Sequence, residues 1–173
     1  LHPTKRLDLA LRLLPSMPGR RLALAGQGAD LERLRTLAAE LGVADRVHFV
    51  GELQPTAIGD FLAALDVFVF PTIAETFGLA GVEAAAAGVP VVAQDLPVLR
   101  EVLEADGRPA ALFVEATDTA AFARAVDTVF TDAAVAKALR SAGAGLVRRF
   151  SLDAMVDTYA RLVDEVAETR RAA

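Results

Sequence analysis

The chain has no cysteine and no tryptophan, and its 173 residues include only two histidines, one tyrosine and two lysines. Without cysteine there is no disulfide framework, no thiol nucleophile and no thiolate metal centre. His2 and His48 lie far apart in sequence and make a poor metal or triad signature. The net charge is −5 with no basic tract, which argues against nucleic acid and against a polybasic membrane anchor. No apolar run reaches the length of a membrane span, because Glu75, Glu83 and Asp95 interrupt the longest one. A secretion signal is not evident at the start, and a domain cut from a longer chain would show none. What remains is 54 % hydrophobic residues, enough for one ordinary domain with a sizeable core, expected over 1–173. The preference for arginine over lysine, together with abundant alanine, fits a GC-rich bacterial genome.

Short apolar runs alternate with helical patterns to about residue 130. The runs Arg21–Ala25, Val47–Val50, Val67–Phe70, Pro90–Ala93 and Ala111–Val114 have the length and uniform apolarity of parallel strands covered on both faces. Helical periodicity predicts helices over Asp30–Leu41, with Asp30 as N-cap and Gly42 as stop, then Thr56–Leu65, Gly78–Ala87, Asp118–Phe130 and Ala133–Arg148. Such alternation means βαβ units in a doubly wound, Rossmann-like α/β fold with a parallel sheet. Behind Ser151 as N-cap, a last helix over Leu152–Glu168 carries Met155, Tyr159, Leu162 and Val166 on one face. The first helical pattern, Lys5–Leu14, starts without a strand before it, so the expectation is a domain whose first strand lies upstream of residue 1.

The stretch from Glu75 to Asp95 holds one charged residue between its ends, Glu83, whose helical neighbours Leu79, Ala80, Ala86 and Ala87 are all apolar. A helix apolar on every side is expected to be buried, and a buried carboxylate needs a partner, either a neighbouring protein group or a ligand rich in hydroxyl donors. Open parallel sheets bind ligands at the carboxyl ends of their strands. Two glycine-containing loops belong there: Ala25-Gly26-Gln27-Gly28 and Glu75-Thr76-Phe77-Gly78. The first is weak by itself, since Leu31 stands where the dinucleotide fingerprint has its third glycine. The second leads into a helix whose N-terminal amides at Phe77, Gly78 and Leu79 suit a phosphate, with a carboxylate on either side for polyol groups. Phosphate between two polyol binders describes a sugar nucleotide; the bland alternative is an acidic loop residue beside an unrelated glutamate. Lys5 is either a solvated helix-start lysine or a ligand, Asp95 either a loop cap or a site residue, and His48 points to a structural position.

The block Glu75-Thr-Phe-Gly-Leu-Ala-Gly-Val-Glu83, followed by Ala-Ala-Ala-Ala-Gly-Val-Pro-Val-Val-Ala, resembles the E-x7-E signature of family 4 retaining glycosyltransferases, which have the GT-B fold. His2-Pro-Thr-Lys5, Ala25-Gly-Gln-Gly28, Val47-His-Phe-Val-Gly51 and Arg149-Phe-Ser-Leu-Asp-Ala-Met are similar to further segments of that family, so the likeness spans nearly the whole chain. The resemblance implies the donor-binding, C-terminal half of such an enzyme. Lys5 and Glu75 would be the catalytic residues, Glu75 on the donor sugar, Glu83 on the ribose, and the amides of Phe77, Gly78 and Leu79 on the diphosphate. Gly26, Gly28 and Leu53 would complete the donor pocket, with Gly51-Glu52-Leu53 at the nucleobase edge. It implies no cofactor and no metal, the nucleotide diphosphate sugar being substrate, and a cytoplasmic chain whose contact with a membrane would come from an absent acceptor-binding domain. That domain is the expected partner, and the last helix would pack towards it or self-associate weakly. Where the family often has a glycine pair this chain reads Gln94-Asp95, a departure that bears on local donor contacts, while Glu101 fits the glutamate that usually follows. A sugar-nucleotide epimerase half and a non-catalytic nucleotide-sensing domain share these features.

Overall fold

A computed structural model describes residues 1–172; Ala173, the last residue of the expected domain, lies outside the described residues. A 3-10 turn at Pro3–Lys5 precedes α1 (Leu7–Leu13) and β1 (Leu22–Ala25). Then come α2 (Leu31–Glu40), β2 (Val47–Gly51), α3 (Pro55–Ala63), β3 (Phe68–Phe70), α4 (Leu79–Ala86), β4 (Val91–Gln94) and α5 (Pro97–Val102). A small hairpin, β5 (Glu104–Ala105) and β6 (Arg108–Pro109), leads to β7 (Ala111–Val114). Helices α6 (Thr119–Thr131), α7 (Ala133–Arg149) and α8 (Leu152–Ala172) complete the chain.

The alternation of parallel strands and helices is as the apolar runs require. Apart from the antiparallel β5–β6 hairpin, the strands fall into two hydrogen-bonded sets, β2-β1 and β3-β4-β7, all parallel within each set. Among the described residues no ladder joins β1 to β3. Three apolar clusters follow from this division. One, around Val91, Ala93, Leu99 and Leu103, packs the three-stranded set against α4, α5 and α7. A second, around Val92, Phe122 and Val126, packs its other face against α1 and α6. The third seats β1 and β2 on α1 and α2 through Leu11, Leu24 and Leu34.

Local chemistry corrects several boundaries. The helix expected over Lys5–Leu14 is broken at Arg6, whose φ of 48° and ψ of 42° are left-handed. Asp30 occupies the N-cap position of α2 but makes no capping bond with its side chain. Its buried carboxylate instead takes two bonds from Arg33, at 2.6 Å and 2.8 Å, a charge-assisted pair that outcompetes a neutral amide. Asp118 and Asp132 do cap α6 and α7, through bonds of 2.9 Å to Ala121 N and Ala134 N. Ser151 caps α8 with 3.1 Å to Ala154 N.

Candidate functional site

The Pro3–Lys5 turn and the loop after β3 are stitched together by backbone groups. Thr4 O accepts from Ile73 N at 3.0 Å and lies 3.3 Å from the hydroxyl of Thr72, a fully buried residue whose Oγ1 is also 3.1 Å from Ala74 O. This fixes two side chains against each other. Lys5 Nζ donates to Glu75 Oε1 at 2.5 Å, with the Lys5 side chain 42 % exposed and that of Glu75 only 9 %. The two residues named as catalytic by resemblance are thus in direct contact. Thr72 was not singled out in the sequence; a polar residue directly after Pro71 at a strand's carboxyl end is the only signal it carries.

Helix α4 begins at Gly78, whose φ of 90° and ψ of 39° are left-handed. An added Cβ would collide with the Leu99 side chain and sit 3.5 Å from Phe70 Cε1, so glycine is required both by the dihedrals and by the close approach. Gly81 N and Val82 N turn back to Gly78 O at 2.9 Å and 3.3 Å. The amides of Phe77, Gly78 and Leu79 have no backbone acceptor among the described residues, the usual condition of a helix start.

The expectation that this helix is buried all round is wrong on one side. Gly81, Val82, Ala84 and Ala85 are buried, but Leu79 is 60 % exposed, and Ala80 and Ala87 are exposed too. Glu83 lies on that open side, part-exposed, with no hydrogen bond or ion pair of its side chain among the described residues. Alanine is apolar yet small and does not force burial, which is why composition misled. The reason for suspecting Glu83 therefore changes: it is a carboxylate without a protein partner on the wall of a cavity, not a buried charge in need of one.

That cavity measures about 970 Å³ and lies between the two sets of strands. Lys5, Gly26, Leu53, Glu75, Leu79 and Glu83 all line it, as do His48 and Glu52. Gly28 borders an adjoining hollow of about 340 Å³ with Gly26, Arg35 and Gly51. Its φ of 151° and the backbone of Leu1, which an added Cβ would strike, reserve that place for glycine. Gly26 N donates to Gly51 O at 2.6 Å, which brings the first glycine loop beside the Gly51–Leu53 segment. Phe77 and Gly78 stand outside the cavity wall; the Phe77 ring meets Phe150 edge-on at 5.3 Å, linking the site loop to the lead-in of α8.

The Gln94–Asp95 departure has an internal explanation. Gln94 is buried and ties the end of β4 to the turn after β7, donating from Nε2 to Glu115 Oε2 at 3.0 Å and accepting from Ala116 N at 2.6 Å. The Gln94 amide, followed by the Thr117 N–H and hydroxyl, holds the Glu115 carboxyl below the usual carboxylate range. Asp95 forms a two-pronged pair with Arg100, at 2.5 Å and 2.8 Å, and is not part of the cavity wall. Both residues serve the loop rather than the cavity. No group of three or more metal-ligating side chains occurs among the described residues, and none of their helices is long and apolar enough to cross a membrane.

A cavity that runs along β1 and β3, with a lysine and two carboxylates on its wall, here sits in a domain of the parallel α/β class. The family described as "Glycosyl transferases group 1" matches residues 1–145, and the chain belongs to it. It is 35 % identical over 187 aligned residues to D-inositol 3-phosphate glycosyltransferase of Acidothermus cellulolyticus, covering 100 % of this chain and 41 % of that protein. Phosphatidyl-myo-inositol mannosyltransferase of Mycobacterium leprae is 34 % identical, over 96 % of this chain and 44 % of its own length. The chain therefore spans less than half the length of these bacterial relatives. Among solved structures, sucrose-phosphate synthase from Thermosynechococcus elongatus superposes with a TM-score of 0.85 at 27 % identity, over 97 % of this chain and 44 % of that one. Anabaena HepE follows with 0.84 at 24 % identity, over 95 % and 46 %. The fold is that of one half of a GT-B glycosyltransferase, its C-terminal domain.

Proposed function

We propose that this chain is the donor-binding half of a retaining glycosyltransferase and holds a nucleotide diphosphate sugar between Glu75 and Glu83. The observation that carries the reading is the convergence of Lys5, Glu75 and Glu83 on one cavity of about 970 Å³, beside the acceptor-free amides at the start of α4. In this reading the diphosphate rests on the amides of Phe77, Gly78 and Leu79, where the helix dipole favours negative charge. Glu83 accepts from the ribose hydroxyls and Glu75 from those of the sugar; Gly26, Gly28 and Leu53 shape the nucleoside end.

In the transfer step the bond from the anomeric carbon to the diphosphate oxygen breaks, and its electron pair leaves with the diphosphate. The acceptor oxygen bonds to the same face of the sugar and passes its proton to the departing diphosphate oxygen. Charge develops on the leaving diphosphate, so the cation and amides aimed at it act as an oxyanion hole does. Lys5 is the cation on the cavity wall that meets Glu75, and donor binding must redistribute that pair. The acceptor would be met by the remainder of a longer enzyme, and by itself this half would bind donor without transferring it. Thermal-shift screening against UDP, GDP and ADP and their sugar conjugates tests the reading. Stabilisation by one base series supports it, and no shift with any of them removes it.

A further inference from the structure

We propose that Asp8 is a positioning residue for the site: acting through Arg6, it sets where Lys5 points and keeps it against Glu75. Arg6 and Asp106 are the two non-glycine residues with positive φ among the described residues. Asp106 sits beside Gly107 in the tight turn of the β5–β6 hairpin, while Arg6 has no glycine next to it. An L-residue is found in the left-handed region when its surroundings hold it there. Here the hold is a two-pronged, charge-assisted pair with a residue two places on. Arg6 Nε donates to Asp8 Oδ1 at 3.0 Å, and its Nη2 to Asp8 Oδ2 at 3.2 Å. Asp8 is buried, a carboxylate that the transfer step does not use. Arg33 Nη2 stands 3.9 Å from its Oδ1 and is itself bonded to buried Asp30, so the turn is braced against α2.

The left-handed residue decides what Lys5 can reach. Pro3 at a helix start and the apolar period from Leu7 suit one unbroken helix from Pro3 to Leu13. On that helix Lys5 would lie three residues from Asp8 and four from Leu9, along a buried face, and Thr4 O would accept from Asp8 N. The break at Arg6 prevents this. Arg6 N closes the Pro3–Lys5 turn on Pro3 O at 3.0 Å, and Thr4 O accepts instead from Ile73 N, also at 3.0 Å. Arg6 occupies both oxygens of Asp8, the carboxylate nearest to Lys5 along the chain. Lys5, held between Thr4 on the loop after β3 and Arg6 braced on α2, meets Glu75. A lysine carries much rotamer freedom, so a backbone fixed on both sides is what narrows its reach to one carboxylate. An ordinary first-turn carboxylate would favour the dipole of α1 and would not need Arg6 to be left-handed. That Lys5 then serves the donor rests on the function proposed above; that the turn aims it at Glu75 does not.

Lys5 and Lys137 are the only lysines, and Lys137 is exposed on α7. Trace acetylation of the full chain, read peptide by peptide by mass spectrometry, therefore gives Lys5 an internal reference. Asp8→Ala is expected to raise the Lys5-to-Lys137 labelling ratio by about two- to fivefold, the worth of an exposed lysine–carboxylate pair. Arg6→Ala should do the same, since alanine resists a left-handed φ, whereas Arg6→Gly should keep the parental ratio. Adding Asp8→Ala to Arg6→Gly should then change nothing, because Asp8 acts only through Arg6. Asp8→Asn, which keeps the shape of the side chain, should shift the ratio in the same direction, and circular dichroism checks the fold of each variant. Where UDP, GDP or ADP binds the parent, its affinity should fall about tenfold in Asp8→Ala and stay restored in the double variant, as Lys5 leaves and regains its place. An unchanged ratio in a folded Asp8 variant, equal ratios for Arg6→Ala and Arg6→Gly, or no rescue in the double variant would each overturn the assignment. So would a raised ratio with unchanged nucleotide affinity. Failure of every diphosphate to bind the parent would remove the donor reading and leave the labelling ratios to decide what the turn does.

Discussion

Lys5 Nζ sits 2.5 Å from Glu75 Oε1, joining the turn before α1 to the loop before α4 across 70 residues of sequence. Each side chain is the other's partner in this structure, and each is also assigned to the donor. The pair thus sets a competition that substitutions can separate. Glu75→Gln releases the lysine from its counter-charge, so bare nucleoside diphosphate should bind as tightly as to the parent or more so, while the preference for nucleotide sugar over nucleoside diphosphate falls. Lys5→Met should weaken both ligands by about 10- to 100-fold, the value of a hydrogen bond to a charged group. With Lys5 42 % exposed, the loss of the ion pair itself should cost no more than about 1 kcal/mol of stability. Calorimetric titration of both ligands decides it; equal losses of both ligands in Glu75→Gln would contradict its assignment to the sugar.

Gly78→Ala should be among the most damaging single-methyl changes in the chain. Its left-handed φ of 90° and the Leu99 side chain in the path of a Cβ both oppose it. A cost of about 1–3 kcal/mol is expected, as for strained backbone or overpacking, together with a displaced start of α4. Denaturant unfolding measures the first, and an unchanged midpoint would show that the loop relaxes freely.

Acid should weaken the fold through Asp30. The two Arg33 bonds hold this buried carboxyl below its ordinary value, so the folded state binds fewer protons than the unfolded chain. Its contribution is present in full above the unfolded value of about 4 and is lost as pH falls through the lower folded value. In Asp30→Asn the thermal midpoint should start lower near neutrality and decline less steeply under acid. A decline as steep as the parent's would show that the pair adds nothing.

The 21 residues of α8 leave Met155, Tyr159, Leu162 and Val166 more than half exposed. A helix with so little tertiary cover is held mainly by its own hydrogen bonds. Its amides should exchange faster than those of Phe68–Phe70 in a monomer, or become protected together with a dimeric mass. A monomer with α8 as protected as the core strands would contradict the view that this stripe awaits a partner.

The strand and helix series was legible because period and apolarity act locally: all five apolar runs became strands, Ala111–Val114 with its bounds unchanged and the others shifted by no more than one residue at either end. The break at Arg6 was not legible, since neither glycine nor proline stands there to mark the left-handed turn. The β5–β6 hairpin was missed although Asp106-Gly107, with φ of 54° and 72°, is a strong turn signal. In the site, residue types and spacing pointed to Glu75 and Glu83, and only the family resemblance pointed to Lys5; all three line one cavity. Burial of Glu83 was misjudged because four consecutive alanines read as core yet leave one helix face open. The contact of Lys5 with Glu75 depends on two loops meeting through Thr4 and Thr72, which no local pattern encodes.

The donor site is tested most directly by titrating UDP, GDP and ADP into the parent chain and Glu83→Gln, with circular dichroism to compare their folds. The account predicts that at least one nucleoside diphosphate binds the parent, and that Glu83→Gln keeps the fold while losing about 10- to 100-fold in affinity, as one charged acceptor to ribose is removed. Unchanged affinity in Glu83→Gln, or no binding of any diphosphate to the parent, would contradict it.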